Sequence, residues 1–225
     1  MVDVNAQLDA VTRSIETKEV DGALAYVQQL AQTYPSPIDD VWDAVTSAER
    51  IPRWFLPISG ELRLGGTYQF EGNAGGEIRT CEPPRDGAAG YSVTWGMGVG
   101  EPAVVSVRLI EVDASHTRLE LENVAAAASL PEGMWEQFGP SATGIGWDQG
   151  LLGLALHFSG GTDGIAPEEA AAWVATDEGK SFMRRSADAW AAAHERDGVE
   201  ADVAKGAADR TYAAYTGEAP APEMD

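Results

Sequence analysis

The segment Ser141-Ala-Thr-Gly-Ile-Gly-Trp-Asp-Gln-Gly-Leu-Leu-Gly-Leu-Ala-Leu-His-Phe158 decides how this chain folds. Trp147, Leu151, Leu154 and Phe158 recur at helical spacing and form one apolar stripe. The glycines interspersed among them each weaken an isolated helix by about 1 kcal/mol relative to alanine. We therefore expect close packing against another layer, and not helix propensity, to stabilise this helix.

Several stretches between residues 60 and 122 alternate apolar and polar residues, a pattern typical of strands with one buried face. In Tyr91-Ser-Val-Thr-Trp-Gly-Met97 the large apolar side chains occupy the odd positions. Similar alternation predicts a buried set that comprises Leu62, Leu64, Tyr68, Phe70, Val105, Val107, Leu109, Leu119 and Leu121. We predict an α+β fold in which the dry face of an antiparallel sheet packs against the helix over 141–158.

Weaker signals predict the elements on either side of this unit. Residues 1–22 are polar and predict a short helical or loose lead-in, and the first strand is expected over 24–34. Ser36 is placed to cap a helix over 38–46, and a second short helix is expected near 48–55. Beyond Gly160, helices are predicted over 167–175, 177–196 and 200–215, and the composition of residues 217–225 predicts disorder.

The charge of the chain limits the classes of partner. With 36 acidic against 15 Lys and Arg residues the formal net charge is −21, which disfavours binding to nucleic acid. The sequence has no apolar run of the roughly 20 residues that a membrane helix needs, so no membrane insertion is predicted. The residues 1–5 lack the pattern of a secretory signal, and the single cysteine, Cys81, fits a reducing compartment. We predict a cytoplasmic protein.

Three groups of residues carry a resemblance to a known family. They are the run Thr33-Tyr-Pro-Ser-Pro-Ile-Asp-Asp-Val-Trp-Asp-Ala-Val-Thr-Ser-Ala-Glu-Arg-Ile-Pro-Arg-Trp-Phe55, the run Leu62-Arg-Leu-Gly-Gly-Thr-Tyr68, and a series of short motifs that comprises Glu82-Pro-Pro84, Thr94-Trp95, Thr117-Arg-Leu-Glu-Leu121 and Gly146-Trp147. In this order they resemble the heat-shock-protein-90 ATPase activator homologues, an AHSA-like branch of the SRPBCC (START-like) superfamily. The resemblance covers about residues 23–160.

This resemblance implies a helix-grip fold, in which a curved antiparallel sheet of six to seven strands wraps a long helix. It places the family domain at 23–160, with a lead-in at 1–22, a helical extension at 161–216 and a tail at 217–225. The extension lies outside the family core and is expected to pack over the mouth of a cavity. Where many relatives carry a histidine at the end of the last strand, this chain has Asn123.

The resemblance also implies an apolar cavity between the sheet and the helix. Polar candidates in it are Asn123 and His157, with Thr80 beside Ile78. The predicted ligand cavity comprises Trp54, Phe55, Tyr68, Phe70, Ile78, Trp95, Met97, Leu109, Leu121, Asn123, Trp147, Leu151, Leu154, His157 and Phe158. Taken one at a time, the apolar members are better explained as plain core, whereas the resemblance favours a cavity for the set as a whole.

Dedicated catalytic and metal chemistry has little support in the sequence. The three histidines are scattered, no ligand spacing such as H-E-x-x-H or C-x-x-C occurs, and we predict no metal and no cofactor. Cys81 just precedes a Pro-Pro pair and is expected to be a half-buried structural thiol.

Three functions follow as hypotheses. The leading one is binding of a small hydrophobic or aromatic molecule in the cavity, without a defined catalytic site. The second is a co-chaperone-like regulator that contacts a heat-shock ATPase. The third is a polyketide cyclase or aromatase, which would need His157 and Asn123 to face the cavity together.

Overall fold

The computed structural model describes residues 4–98, 100–160 and 172–218. Eight strands form one antiparallel sheet in the order β1-β2-β8-β7-β6-β5-β4-β3. The strands are β1 (Thr12–Val20), β2 (Ala23–Tyr34), β3 (Ile58–Gly60), β4 (Thr67–Phe70), β5 (Gly75–Arg85), β6 (Ala88–Trp95), β7 (Ala103–Asp113) and β8 (His116–Ala126). The predicted combination of an antiparallel sheet and a long helix is confirmed, with one strand more than the upper expectation.

The helices are α1 (Val4–Asp9), α2 (Ile38–Thr46), α3 (Met134–Phe138), α4 (Ser141–Phe158), α5 (Asp177–Arg196) and α6 (Ala201–Thr216), with short 3-10 turns at Ile51–Arg53 and Ala127–Ser129. The bounds predicted for α2, α4 and α5 are confirmed, and α6 differs from its prediction by one residue at each end. Of the helix predicted over 167–175, residues 172–174 are helical and residue 175 forms a turn, whereas residues 167–171 lie outside the described residues. The predicted tail from residue 219 also lies outside them.

The lead-in predicted for residues 1–22 is the main error of the sequence analysis. After the short helix α1, β1 pairs with β2 over its whole length, from Thr12 opposite Ala31 to Val20 opposite Ala23. Only Ile15 of β1 is buried, because this is an edge strand whose other side chains face solvent or polar partners. The alternation that marks a half-buried strand is therefore missing, and pairing with β2 alone makes this segment a strand.

Local predictions around α2 also need correction. Pro37, and not Ser36, occupies the N-cap position, and the Ser36 hydroxyl donates to the Asp40 carboxylate. The second helix expected near 48–55 is reduced to the 3-10 turn Ile51–Arg53, whose second residue is Pro52. Leu64, expected on the dry face, is 60% exposed because it lies in the turn before β4.

Helix α4 is buried between two layers. Leu151 and Leu154 face the main core with the sheet, whereas Ile145 and Leu152 belong to a second apolar cluster shared with α5 and α6. A helix that is apolar all round is a helix buried on all sides, which explains why the segment carries more apolar residues than a single stripe requires. The C-terminal helices therefore complete the fold of α4.

Two glycines allow α4 to approach its neighbours closely. A Cβ atom at Gly144 would overlap the indole ring of Trp190 on α5, and one at Gly153 would overlap the carbonyl oxygen of Trp54. The expectation that packing holds this helix despite its glycines is thus confirmed. Within the described ranges, no helix is long and apolar enough to cross a membrane.

Candidate functional site

An apolar cavity of about 140 Å³ lies between the sheet and α4. The predicted site residues that line it are Trp54, Phe55, Tyr68, Phe70, Ile78, Trp95, Trp147, Leu121, Leu151 and Leu154. Strands β4 to β8 supply one wall, α4 supplies the opposite wall, and the segment after α2 closes one side. The cavity is thus built from the elements that the sequence pattern placed face to face.

Aromatic rings in the cavity wall contact one another. The Phe55 and Phe70 rings meet edge to face at 5.0 Å between centroids, and the Trp95 and Trp147 rings lie 5.0 Å apart. Phe70 and Trp95 connect the two pairs at 5.5 Å. Such contacts add about 0.5–1.5 kcal/mol each beyond area burial, so the rings hold the wall in one arrangement.

Three apolar residues predicted for the cavity do not line it. Met97 is 65% exposed, because β6 ends at Trp95 and the alternation does not continue past it. Leu109 is fully buried in the core near the far end of β7. Phe158 packs against the Tyr34 ring at 5.6 Å, at the end of α4.

Asn123 also lies outside the cavity, where it helps to attach the start of α4 to the sheet. Its Nδ2 donates to Gln28 Oε1 at 3.2 Å, and the Thr143 hydroxyl donates to the same oxygen at 2.5 Å. Gln28 Nε2 in turn donates to the Pro140 carbonyl at 2.7 Å. Asn123 is buried and acts as a structural polar group, with its Oδ1 left without a partner among the described residues.

His157 lies at the opposite end of α4 and contacts Arg50. Arg50 Nη2 is 2.9 Å from His157 Nε2, and Arg50 Nη1 reaches Asp40 at 2.6 Å and Asp43 at 3.1 Å. Thr143 and His157 are separated by a rise of about 21 Å along α4, at 1.5 Å per residue. His157 and Asn123 therefore do not face the cavity together, and the condition set for cyclase chemistry is not met.

The burial of His157 and its contact with Arg50 make the stability of the protein sensitive to the protonation of this histidine. Burial and then the Arg50 guanidinium lower the pKa of His157, with a smaller contribution from Arg53, while Asp40 opposes them. As the pH falls, His157 is therefore protonated in the unfolded chain at a higher pH than in the folded chain. The stability that neutral His157 contributes is fully present above about pH 6.5 and decreases as the pH falls below it.

We expect His157→Gln to flatten the dependence of the free energy of unfolding on pH between 5 and 7. Glutamine retains an acceptor for Arg50 but does not titrate. The measurement is urea unfolding at several pH values for both proteins. Burial also lowers the pKa of His194, but that residue is present in both proteins and its contribution cancels. An unchanged slope would show that His157 does not contribute.

Twelve cavity residues were absent from the predicted site, although the alternation had placed half of them on the dry face. They are Val45, Thr46, Ile51, Ile58, Leu62, Cys81, Tyr91, Val93, Val105, Val107, Leu119 and Gly150. Cys81 is exposed at the cavity and not half-buried as expected, because irregular pairing between β5 and β6 brings it opposite Tyr91 near the sheet margin. Thr80, a polar candidate, instead contacts the Ser92 hydroxyl on the exposed face.

Three polar groups in the cavity wall have main-chain partners, whereas Trp147 Nε1 is enclosed without one. The Thr46 hydroxyl donates to the Trp42 carbonyl at 2.7 Å, Trp54 Nε1 to the Ala44 carbonyl at 2.8 Å, and the Tyr68 hydroxyl to the Thr94 carbonyl at 2.7 Å. Burial raises the pKa of both Tyr68 and Tyr91, so both phenols are neutral at ordinary pH. The wall has no ionised side chain among its described lining residues.

A buried ion pair lies on the other side of α4. The Arg13 guanidinium from β1 contacts both carboxylate oxygens of Asp148, with Nη2 at 2.8 Å from Oδ1. Ser186 and Trp190 from α5 donate to Asp148 Oδ2 at 2.5 and 3.2 Å. Burial raises the pKa of Asp148, and the arginine and the two other donors oppose this rise. The network joins β1, α4 and α5.

Residues 172–218 of the C-terminal extension support α4, and none of these residues lines the cavity. Across the described ranges, no group of three or more His, Cys, Asp and Glu side chains could hold a metal ion.

Comparisons with known proteins agree with this architecture. Residues 35–158 match the family model described as "Activator of Hsp90 ATPase homolog 1-like protein". A comparison with curated proteins finds no match. Among solved structures, CalU16 from Micromonospora echinospora is similar at 30% identity in both its crystal and solution NMR structures. The crystal structure gives a TM-score of 0.61 over 82% of this chain and 98% of CalU16, and the NMR structure gives 0.65 over 84% and 97%.

A more distant likeness is to PFC0360w, an HSP90 activator from Plasmodium falciparum, at 18% identity and a TM-score of 0.47 over 60% of this chain and 96% of that one. The CalU16 match covers more of the chain than the family model does, so it includes residues outside 35–158. The family model covers more than half of the sequence. The chain belongs to the family of Activator of Hsp90 ATPase homolog 1-like proteins, of the SRPBCC type and with a helix-grip fold.

Proposed function

We propose that this protein binds a small hydrophobic or aromatic molecule in the cavity between the sheet and α4. The observation that carries the proposal is a partly open apolar pocket of about 140 Å³ between the sheet and α4, which side chains leave unfilled. Ligand sites are concave and mostly apolar, so a pocket of this kind between two layers is a candidate binding site.

The size of the cavity limits the ligand. A dry apolar cavity of about 150 Å³ is known to accept benzene, whereas pockets for drug-sized molecules measure roughly 300–1,000 Å³. A single aromatic ring or a short aliphatic chain fits, and a fused polycyclic molecule does not fit this arrangement of side chains. The wall has no ionised group among the described residues, which favours a neutral ligand.

Val93→Phe tests the proposal by filling the void from the sheet side. Val93 is buried on β6 and lines the cavity. We expect the affinity for toluene, measured by isothermal titration calorimetry, to fall by at least about tenfold, which is about 1.4 kcal/mol. Tryptophan fluorescence follows the same binding, because Trp54, Trp95 and Trp147 line the cavity.

Val112→Phe is the matched control, because Val112 is 57% exposed and is not a cavity residue. It is expected to leave the affinity for toluene unchanged. Since overpacking costs typically 1–3 kcal/mol, the folded state of Val93→Phe is checked by its unfolding transition. Equal affinities of a folded Val93→Phe and the natural protein, or no binding of any one-ring apolar molecule, would contradict the proposed function.

The alternatives have weaker support. Regulation of a heat-shock ATPase rests on the family description, and cyclase chemistry lacks the required pair of polar groups in the cavity. We place the proposed binding function in the cytoplasm, because a chain with a single cysteine fits a reducing compartment.

A further inference from the structure

Tyr91 carries a polar group of the cavity wall that has no hydrogen-bond partner among the described residues, and Trp147 Nε1 is another such group. By contrast, Thr46, Trp54 and Tyr68 all donate to main-chain carbonyls. Unlike Trp147 Nε1, the Tyr91 hydroxyl is not fully enclosed by protein atoms. Because Tyr91 also lines the cavity, its hydroxyl is an accessible partner for a molecule bound there.

The position of Tyr91 is well defined. It lies on β6 between Cys81 of β5 and Val107 of β7, on the face that packs against α2 and the cavity. The Trp42 ring of α2 meets its ring edge to face at 6.3 Å between centroids. The hydroxyl is thus presented by a ring held on a central strand, which is how a binding site fixes the orientation of a ligand.

The chemistry of this group restricts what it can bind. A neutral phenol donates one hydrogen bond and accepts others, and burial raises the pKa of Tyr91 so that it remains neutral. A ligand that displaces water from this hydroxyl without replacing its hydrogen bond is penalised, and a ligand oxygen avoids that penalty. A charged ligand would lose its hydration without gaining an ionic partner.

We propose that Tyr91 determines ligand specificity by hydrogen-bonding the oxygen of a neutral, one-ring aromatic ligand of the phenol class. This inference rests on the proposed function, since it requires that the cavity binds a ligand. The ring fills the void of about 140 Å³, and the ligand hydroxyl pairs with the Tyr91 hydroxyl.

The experiment compares phenol, toluene and benzoate as probes of the full-length chain by calorimetry. Phenol and toluene are close in size and differ in the hydroxyl, whereas benzoate carries a charge. For the natural protein we expect phenol to bind more tightly than toluene and benzoate to bind least. In Tyr91→Phe we expect the dissociation constant of phenol to rise about five- to tenfold and that of toluene to stay within twofold, as expected for the loss of one hydrogen bond.

Tyr212→Phe is the matched control. Tyr212 lies on α6, outside the cavity, where its ring contacts the Arg184 guanidinium at 5.0 Å. It should leave the affinity for both probes unchanged. A second measurement uses the natural protein alone: a nuclear Overhauser effect between the protons of bound phenol and the Tyr91 ring is expected, and it keeps the test valid if Tyr91→Phe folds poorly.

The possible results separate the two proposals. If toluene and phenol bind equally well, if Tyr91→Phe weakens both alike, or if benzoate binds more tightly than phenol, the role of Tyr91 is wrong and the cavity remains a binding site. If neither neutral probe binds the natural protein, the proposed function itself fails, and the inference fails with it.

Discussion

Replacing Asp148 by alanine is expected to lower the free energy of unfolding by about 3–5 kcal/mol. The Asp148 side chain is fully buried and the Arg13 side chain is 7% exposed, so the substitution leaves a guanidinium inside the protein without its carboxylate. Ser186 and Trp190 lose an acceptor at the same time. Removing one partner of a buried ion pair lowers the free energy of unfolding by far more than the intact pair adds to it, because the remaining charge stays desolvated.

Urea unfolding measures this effect, and Asp188→Ala is its control. Asp188 on α5 is 58% exposed and pairs with Arg184 at 2.7 Å, so its loss should cost less than about 1 kcal/mol. The double replacement Arg13→Met with Asp148→Leu is expected to recover most of the stability, since it removes both charges. A loss for Asp148→Ala no larger than that for Asp188→Ala would contradict the structural role of the network.

Replacing Gly144 by alanine is expected to destabilise the protein by about 2–3 kcal/mol, although alanine favours helices by about 1 kcal/mol over glycine. The added Cβ would overlap the Trp190 indole, a ring that is fully buried between α4 and α5. The ring also donates to Asp148, so it cannot move without losing that hydrogen bond. Either the helices separate or the ring leaves its position.

Gly150→Ala provides the opposite expectation on the same helix. A Cβ there would lie 3.7 Å from the Phe55 ring, an ordinary contact, so the gain in helix propensity should raise stability by up to about 1 kcal/mol. Denaturant midpoints at a constant slope compare the two variants. If both substitutions shift the denaturation midpoint in the same direction, overlap with Trp190 is not the reason that glycine is required at position 144.

Periodicity predicted the elements whose burial is regular. Helix α4 and strands β6 to β8 each present one apolar face at a constant interval, so their type and the face that they bury follow from the sequence. Strand β1 has no such regularity, because edge pairing leaves five of its nine residues exposed and only Ile15 buried. Arg13 is the residue of β1 that pairs with buried Asp148. A single arginine in a polar stretch of sequence does not indicate that its side chain is buried.

The residues of the candidate site show the same difference between what periodicity predicts and what it does not. Ten aromatic and aliphatic residues of the cavity wall were predicted from strand and helix faces, whereas the polar candidates Asn123 and His157 do not line the cavity. Asn123 and His157 lie on the predicted elements but at opposite ends of α4. Tyr91, whose hydroxyl is left unpaired among the described residues, was predicted only as one apolar side chain of its strand. Hydrogen bonding depends on distances between segments that are remote in sequence.

The sequence by itself determined the fold class, the family and the pairing of a glycine-rich helix with the dry face of a sheet, because these follow from local periodicity and from motifs in order along the chain. Only the tertiary structure decided which glycines are required, which polar groups remain unpaired, and that β1 and α5 join α4 through a buried ion pair. Those properties arise from contacts between distant residues. The void of about 140 Å³ belongs to the same class, since it depends on how completely the facing side chains fill the space between two layers.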